Sequence, residues 1–230
     1  MKNTKDIEDL VLGSQVVTRE DKKKIFAIRF KTWRRDHYYI YKKFNLNFEA
    51  KILDIGSSYG GNLINFSKDS VGVEVNPEIV AFAKSIGLKI ADINAEDELK
   101  SLAQKFDLIW CTDFLVHVIS PYKFLYDARS LLDDGGKIVI QIPLMSIFDT
   151  HRSSCHFYAF NKKALSYLME MAGYRVVKTS GYVRRLPNWL NTILEPVSQI
   201  WGGNIWILAV KENKIPVSLD KVFLPTWFKL

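Results

Sequence analysis

The periodicity of hydrophobic positions along the chain changes near residue 50. Beyond that point, short apolar runs alternate with segments whose apolar positions recur every three or four residues, which predicts a sheet covered by helices. The predicted strands are 51–54, 71–75, 88–91, 106–111, 137–142, 174–179 and 204–210. The predicted helices are 61–68, 77–87, 95–104, 121–132 and 162–172. This alternation is typical of one α/β domain with a mostly parallel sheet, carrying an N-terminal helical cap over 1–49 and an insert near 182–203.

Length and composition limit the alternatives to this domain. The chain has 230 residues and 48% hydrophobic positions, enough for one well-packed core but not for two enzymes. Its two cysteines, Cys111 and Cys155, form neither a disulfide framework nor a metal-ligand spacing, so no metal is expected. The charged N-terminus has no apolar signal region, and the longest uncharged run is too short and broken to span a membrane. We therefore expect a cytoplasmic protein.

The segment after the first predicted strand holds the most informative motif. Asp54 stands at the mouth of a glycine turn that contains Gly56 and Gly60, where a ligand can approach a backbone without side chains. The spacing is not that of nicotinamide enzymes, and an acid at the turn would repel a pyrophosphate but favour an ammonium group. Glu74 follows 20 residues later at the end of the next strand, where a carboxylate can bind both ribose hydroxyls. Together these features favour S-adenosylmethionine.

The motifs and their order resemble those of class I S-adenosylmethionine-dependent methyltransferases. The resemblance rests on Asp54-x-Gly56-x-x-x-Gly60, Val71-Gly72-Val73-Glu74, Phe106-Asp107-Leu108-Ile109 and Leu131-Leu132-x-x-Gly135-Gly136. The segments 111–121, 156–160 and 173–177 are similar to the small-molecule branch that includes ubiquinone-biosynthesis O-methyltransferases. The resemblance covers roughly 50–180 and implies a Rossmann-like seven-stranded sheet with helices on both faces.

The resemblance also implies roles for individual residues. Asp54, Gly56, Ser57 and Gly60 would line the methionine end of the cofactor, and Glu74 with Val75 would hold the ribose. Asp92 and Ile93 would meet the adenine, and Thr112 and Asp113 would face the cofactor or the acceptor. Two positions depart from the family pattern. Ser58 replaces the usual middle glycine, and Val116 replaces the glutamate that precedes the histidine, so no role of that glutamate is transferred.

Two histidines are candidates for a general base. The methyl donor is already activated, so the protein mainly supplies proximity and orientation, and a base is needed only if the acceptor must lose a proton early. His117 and His156 have an ordinary pKa near 6.5 that suits this task. A structural interpretation, in which each histidine only packs or forms hydrogen bonds, stays open for both.

The net charge of +7 is concentrated near the N-terminus. The stretch 22–43 holds nine basic residues and one acid, interleaved with aromatic residues. Such a stretch can form a lid over a site, contact an anionic or lipid-like substrate, or bind nucleic acid. The lid is our working hypothesis, and the expected acceptor is a small-molecule oxygen or nitrogen. A methyltransferase acting on RNA or DNA and a non-catalytic binding protein are the alternatives, although the Asn-Pro-Pro-Tyr motif of many base methylases is missing after the fourth strand. Oligomeric state is left open.

Overall fold

A computed structural model of the chain describes residues 3–30, 37–144, 156–182, 187–194 and 203–213. A seven-stranded sheet has the order β3-β2-β1-β4-β5-β7-β6. Its strands are β1 (Ile52–Ile55), β2 (Val71–Glu74), β3 (Ile90–Asp92), β4 (Phe106–Thr112), β5 (Leu132–Pro143), β6 (Tyr174–Tyr182) and β7 (Asn204–Lys211). Strands β1 to β5 pair in parallel, and β7 runs antiparallel between β5 and β6. The predicted α/β fold with a Rossmann-like sheet is confirmed.

Helices lie on both faces of the sheet. They are α1 (Thr4–Gly13), α2 (Arg19–Ile25), α3 (His37–Lys43), α4 (Pro77–Ser85), α5 (Pro121–Ser130), α6 (Lys162–Met171) and α7 (Asn188–Leu194). One π-helical turn, Phe26–Phe30, directly continues α2. The start of α4 agrees with the prediction, since Asn76 caps it and Pro77 occupies its first position.

Alternation along the strands divides the core between the two faces. Ile109 and Cys111 of β4 belong to a cluster that packs against α5 and α6. Leu108 and Trp110 point to the opposite face, where they pack with Ile40 and other residues of α3. A third cluster joins α1 and α2 to α4 through buried apolar side chains. The described N-terminal helices are therefore packed on the sheet and its helices.

The helix predicted at 61–68 is wrong. The structure has turns and a short 3-10 helix, Leu63–Asn65, in this place. The side chain of Asn65 donates to the carbonyl oxygen of Gly61, which is the acceptor that the Asn65 backbone N–H would use in an α-helix. Local competition by this side chain explains why the helix does not propagate.

The helix predicted at 95–104 is also shorter than expected. Only the 3-10 helix Leu99–Leu102 forms, and it ends at Ala103, which has a left-handed φ of 47°. The side chain of Asn94 accepts a hydrogen bond from the Glu96 N–H, and the carboxylate of Glu98 accepts one from the Asn94 N–H. Both bonds are local to 94–98, and the Glu96 side chain binds a different element. The strand predicted at 137–142 is longer, because β5 already begins at Leu132.

Candidate active site

The turn after β1 has a left-handed backbone at three positions. The φ angles are 65° at Gly56, 50° at Ser58 and 85° at Gly60. Ser58 adopts this conformation although it carries a side chain. The conformation therefore costs more free energy at Ser58 than it would for a glycine. The Ser58 N–H donates to Glu74 Oε2 at 3.1 Å, and this bond helps to hold the turn. A side chain at Gly56 would also crowd Phe114, since its Cβ would lie 3.1 Å from Phe114 Cδ2.

Glu74 connects this turn to the end of β2. Its Oε1 accepts hydrogen bonds from the N–H groups of Val75 at 2.9 Å and Asn76 at 3.0 Å. A carboxylate offers about four acceptor directions, so these bonds together with that from Ser58 leave room for another donor. Asp92 is the register partner of Glu74 on β3 and is exposed. The predicted nucleoside residues Glu74, Val75, Asp92 and Ile93 thus lie close together at the ends of β2 and β3.

Asp54 is the most buried acid of the site. Its side chain is fully buried, and neither carboxyl oxygen accepts a hydrogen bond within the described part of the chain. Burial raises the pKa of Asp54 to about 8, because a charged carboxylate is poorly solvated there. The Asn62 side chain and the Leu63 backbone lower the pKa in turn, although neither makes a hydrogen bond of normal geometry to the carboxyl oxygens. Such oxygens can accept hydrogen bonds from a ligand.

Thr112 and Asp113 lie where β4 ends. Asp113 has a left-handed φ of 52°, and its N–H donates to the carbonyl oxygen of Gln141 at 3.0 Å. The Gln141 side chain donates through Nε2 to Asp113 Oδ1 at 2.9 Å. Gln141 is the register partner of Thr112 on β5. The neighbouring strand therefore holds both the backbone and the carboxylate of Asp113.

The loop from 113 to 120 carries His117 and is fixed from both sides. Glu96 accepts hydrogen bonds from the N–H groups of Ile119 at 3.0 Å and Ser120 at 2.7 Å. From the other side, the Phe157 N–H donates to the Val116 carbonyl oxygen and the Tyr158 hydroxyl donates to that of Ile119. The same segment brings His156 to His117, with ring centroids 4.8 Å apart and an edge-on arrangement. The two predicted histidines therefore form a contacting pair.

A cavity of about 450 Å³ joins the turn after β1, the end of β4 and the N-terminal helices. Its described lining consists of Ile28, Arg29, His37, Gly56, Ser57, Ser58, Tyr59, Gly61, Asn62, Thr112, Asp113 and His117. The ring of His37 also packs against Trp206, with centroids 5.2 Å apart. Residues distant in sequence thus form one concave surface at the carboxyl ends of the parallel strands, where α/β folds bind ligands.

The structure places most predicted residues around this cavity. Gly56, Ser57, Thr112, Asp113 and His117 line it, Asp54 and Gly60 belong to the turn or the strand before it, and His156 packs against His117. Glu74, Val75, Asp92 and Ile93 stand outside the described lining, at the neighbouring strand ends.

Sequence reasoning missed several lining residues. Tyr59, Gly61 and Asn62 adjoin the glycine motif, so proximity in sequence was the available signal. Arg29 and His37 belong to the basic aromatic stretch, which the sequence could not connect to a particular surface. Gln141, which lies outside the described lining but binds Asp113, was detectable only as the one polar position in the apolar run 138–142.

These residues fit S-adenosylmethionine. The partnerless oxygens of Asp54 suit a ligand rich in hydrogen-bond donors, and the turn at Gly56 exposes backbone where a side chain would intrude. Glu74 stands at the strand end where a ribose would be bound.

Comparison with known proteins identifies similar chains. Residues 27–179 match the family model described as a methyltransferase domain. A ubiquinone biosynthesis O-methyltransferase of Glaesserella parasuis is 32% identical over 117 residues, which cover 44% of this chain and 49% of the relative. Another, from Xanthomonas axonopodis, is 29% identical over 102 residues, covering 40% of this chain and 42% of the relative. The chain thus matches slightly less than half the length of these curated relatives.

A solved structure has the same fold. The S-adenosylmethionine-dependent methyltransferase of Archaeoglobus fulgidus superposes with a TM-score of 0.56 at 18% identity, covering 76% of this chain and all of that chain. At this level of identity the likeness concerns the fold alone. Within the described residues, no helix has the length and apolar character needed to cross a membrane.

Proposed function

Because the chain belongs to the class I S-adenosylmethionine-dependent methyltransferase family, we propose that it transfers a methyl group to a small-molecule oxygen or nitrogen acceptor. S-adenosylmethionine is the cofactor of this family, and its sulfonium supplies an activated methyl group. The main support is the cavity itself, which joins the cofactor turn to a partly open concave space of small-molecule size. The names of the curated relatives also favour a small acceptor that is methylated on oxygen.

The cofactor residues have distinct roles in this proposal. The methionine end of the cofactor is held by Asp54, Gly56, Ser57 and Gly60. The buried Asp54 oxygens accept hydrogen bonds from the cofactor, since they accept none from the described chain. Glu74 and Val75 hold the ribose, and Asp92 and Ile93 adjoin the adenine. Thr112 and Asp113 face the cofactor or the acceptor.

The acceptor lies near His117 and His37 in this proposal. His117 lines the cavity and takes the acceptor proton, while His156 supports its ring through the edge-on contact. Arg29 and His37 close the opposite side, which supports a lid role for the basic aromatic stretch. Cytoplasmic location and the division of the chain at residue 49 stay predictions.

Calorimetric titration with S-adenosylhomocysteine, the product of methyl transfer, tests the cofactor site. We expect binding to the wild type and at least a tenfold weaker affinity for Glu74→Ala, because each lost hydrogen bond to a charged group contributes about 1.5–3 kcal/mol. Glu78→Ala is the matched control, since Glu78 is an exposed acid in the first turn of α4. A wild-type protein that does not bind the compound would exclude the proposal.

Measurement of turnover tests which class of acceptor is methylated. Release of S-adenosylhomocysteine is measured with small phenols, catechols, carboxylic acids and amines, and we expect at least one class to support turnover. His117→Ala should lower the rate while leaving S-adenosylhomocysteine affinity within about twofold of the wild type. Cofactor binding without turnover on any of these classes would argue for the non-catalytic alternative.

A further inference from the structure

Gln141 is an unusual residue for its place in the sheet. It lies in β5 among Ile138, Val139, Ile140 and Ile142, and its side chain is fully buried. Its Nε2 has a partner in Asp113, but its Oε1 accepts no hydrogen bond in the described part of the chain. A buried amide with one partnerless end stabilises a fold less well than an apolar side chain of similar shape. Packing alone therefore does not account for Gln141.

The side-chain hydrogen bond of Gln141 and one of its backbone hydrogen bonds reach the end of β4. Its backbone carbonyl accepts from the Asp113 N–H at 3.0 Å, and its amide donates to Asp113 Oδ1 at 2.9 Å. Two bonds from one residue thus fix a neighbour whose φ is 52°, a left-handed conformation that aspartate adopts more readily than most residues with a side chain.

The held carboxylate faces the cavity. Asp113 is the acidic residue in the described lining, which also contains Gly56 and Ser57 of the turn after β1. Asp54 is fully buried on β1, and Glu74 and Asp92 lie outside this lining. Asp113 is therefore the carboxyl group that a ligand in the described cavity would meet.

We propose that Gln141 is a positioning residue for cofactor binding, which holds the Asp113 carboxylate where it pairs with the ammonium group of the cofactor's amino-acid end. This inference rests on the proposed function. It assigns to Gln141 no contact with the reacting atoms, and its effect passes through Asp113. Because the Gln141 amide nitrogen is directed at Asp113, its Oε1 has no hydrogen-bond donor in the described part of the chain.

The binding of two ligands distinguishes this positioning role from a general structural role. S-adenosylhomocysteine carries the amino-acid end, whereas 5′-methylthioadenosine has the same nucleoside and thioether without it. Gln141→Met, which keeps an unbranched apolar side chain of similar length, should weaken S-adenosylhomocysteine binding about tenfold in calorimetric titration. Binding of 5′-methylthioadenosine should change less than twofold. The midpoint of thermal unfolding should stay the same or rise, because the partnerless oxygen is removed.

A double-mutant cycle tests whether the effect passes through Asp113. Asp113→Asn should weaken S-adenosylhomocysteine binding to a similar extent, and Gln141→Met combined with Asp113→Asn should be no weaker than Asp113→Asn alone. Gln104→Leu is the matched control, since Gln104 lies just before β4, at the opposite end of that strand. It should leave the affinity for both ligands unchanged.

Three results would overturn the inference. Equal weakening of both ligands, additive effects in the cycle, or failure of both Gln141→Met and Gln141→Leu to fold would make Gln141 a structural residue. A wild type that binds neither ligand would instead remove the proposed function on which the inference depends. Strong wild-type binding that Gln141→Met leaves unchanged would remove the inference alone.

Discussion

Asp54 is an acid in a place where its charge is disfavoured. It is fully buried on β1, and its pKa is raised to about 8, well above the value near 3.9 of an unfolded chain. The folded protein therefore binds this proton more tightly than the unfolded chain does. The resulting contribution to stability is complete below pH 4 and is lost as the pH rises through about 8.

Asp54→Asn should remove this pH dependence. Between pH 6 and pH 9 the ligand-free wild type should lose roughly 2–3 kcal/mol of unfolding free energy more than the variant. The reason is that only the wild type carries a buried acid, whose ionisation is harder in the folded protein than in the unfolded chain. Urea unfolding of both proteins at the two pH values measures this. Parallel pH profiles for the wild type and Asp54→Asn would show that Asp54 is already ionised in the folded protein.

Gly61 allows an unusually close approach between two parts of the chain. A Cβ at this position would overlap the backbone carbonyl oxygen of Arg29, which belongs to the π-helical turn Phe26–Phe30. The turn after β1 and the N-terminal helices therefore meet backbone to backbone. The contact brings Ile28 and Arg29 to the cavity, so it contributes to the shape of the site.

Gly61→Ala should push these backbones apart. We expect a loss of about 1–3 kcal/mol in unfolding free energy from the overpacked contact. S-adenosylhomocysteine affinity should fall as well, because the cavity wall moves. Gly13→Ala is the control: no atom lies within 4 Å of its Cβ position, and the residue is helical, so the variant should gain about 0.5–1 kcal/mol. Equal stability of the two variants, measured by urea unfolding, would contradict the close contact.

At the scale of elements, the loop from 113 to 120 is held by its neighbours. Glu96 accepts hydrogen bonds from two consecutive N–H groups, one of them at Ser120, which caps α5. A carboxylate at this position also interacts favourably with the N-terminus of α5. The segment that carries His156 binds the loop from the other side. His117 is thereby held in place before any ligand arrives.

Glu96→Ala should loosen this loop. We expect faster amide hydrogen exchange at residues 115–120 and a loss of about 1–3 kcal/mol in stability, because two N–H groups lose their acceptor. Hydrogen exchange with mass spectrometry measures the effect by segment. Asp97→Ala is the matched control, since Asp97 is exposed and forms a 3.6 Å ion pair with Lys123 that contributes little. Unchanged exchange in 115–120 would mean that the segment at 156–158 holds the loop without Glu96.

The two misassigned helices show the limit of periodicity at this scale. The sequences at 61–68 and 95–104 have helical spacing of apolar residues, but Asn65, Asn94 and Glu98 side chains bind nearby backbone groups instead. The Asn65 bond uses the acceptor of a helical hydrogen bond, and the left-handed backbone of Ala103 ends the second segment. By contrast, α4, α5 and α6 agree with their predicted positions, since each has a capping residue and an apolar face that packs on the sheet.

At the scale of the whole molecule, the basic stretch is partly used inside the fold. Lys22 donates to the carbonyl oxygen of Leu12, Lys43 donates to the hydroxyl of Ser180, and Lys24 pairs with Glu20. Arg29 lines the cavity. Lys22 and Lys43 therefore contribute to packing and Arg29 to the site, whereas the Lys24 ion pair is exposed. Not all of the described bases are thus available for a nucleic-acid surface.

We accordingly expect only weak binding to RNA or DNA. A gel shift with unstructured RNA and duplex DNA should show complexes at low salt that disappear near 150 mM salt, as non-specific phosphate contacts do. The wild type loaded with S-adenosylhomocysteine should behave in the same way. Tight complexes at physiological salt would instead support the nucleic-acid-modifying alternative.

The sequence by itself determined the class of fold and the family. Strands, capped helices and the glycine turn are encoded locally, by alternation, spacing and residues such as Asn76 and Gly56, so their order could be predicted. The acids Asp54 and Glu74 were recognisable for the same reason, because each stands at a fixed place relative to its strand. Their proposed roles await the titrations described above.

Only the tertiary structure decided which residues share the cavity. Arg29 meets Gly61, Gln141 meets Asp113, and His156 meets His117 across separations that no local pattern encodes. Such pairs depend on the register of neighbouring strands and on the packing of the N-terminal helices. The burial that raises the pKa of Asp54 is likewise a property of the assembled core, because the energy of a charge depends on everything that surrounds it.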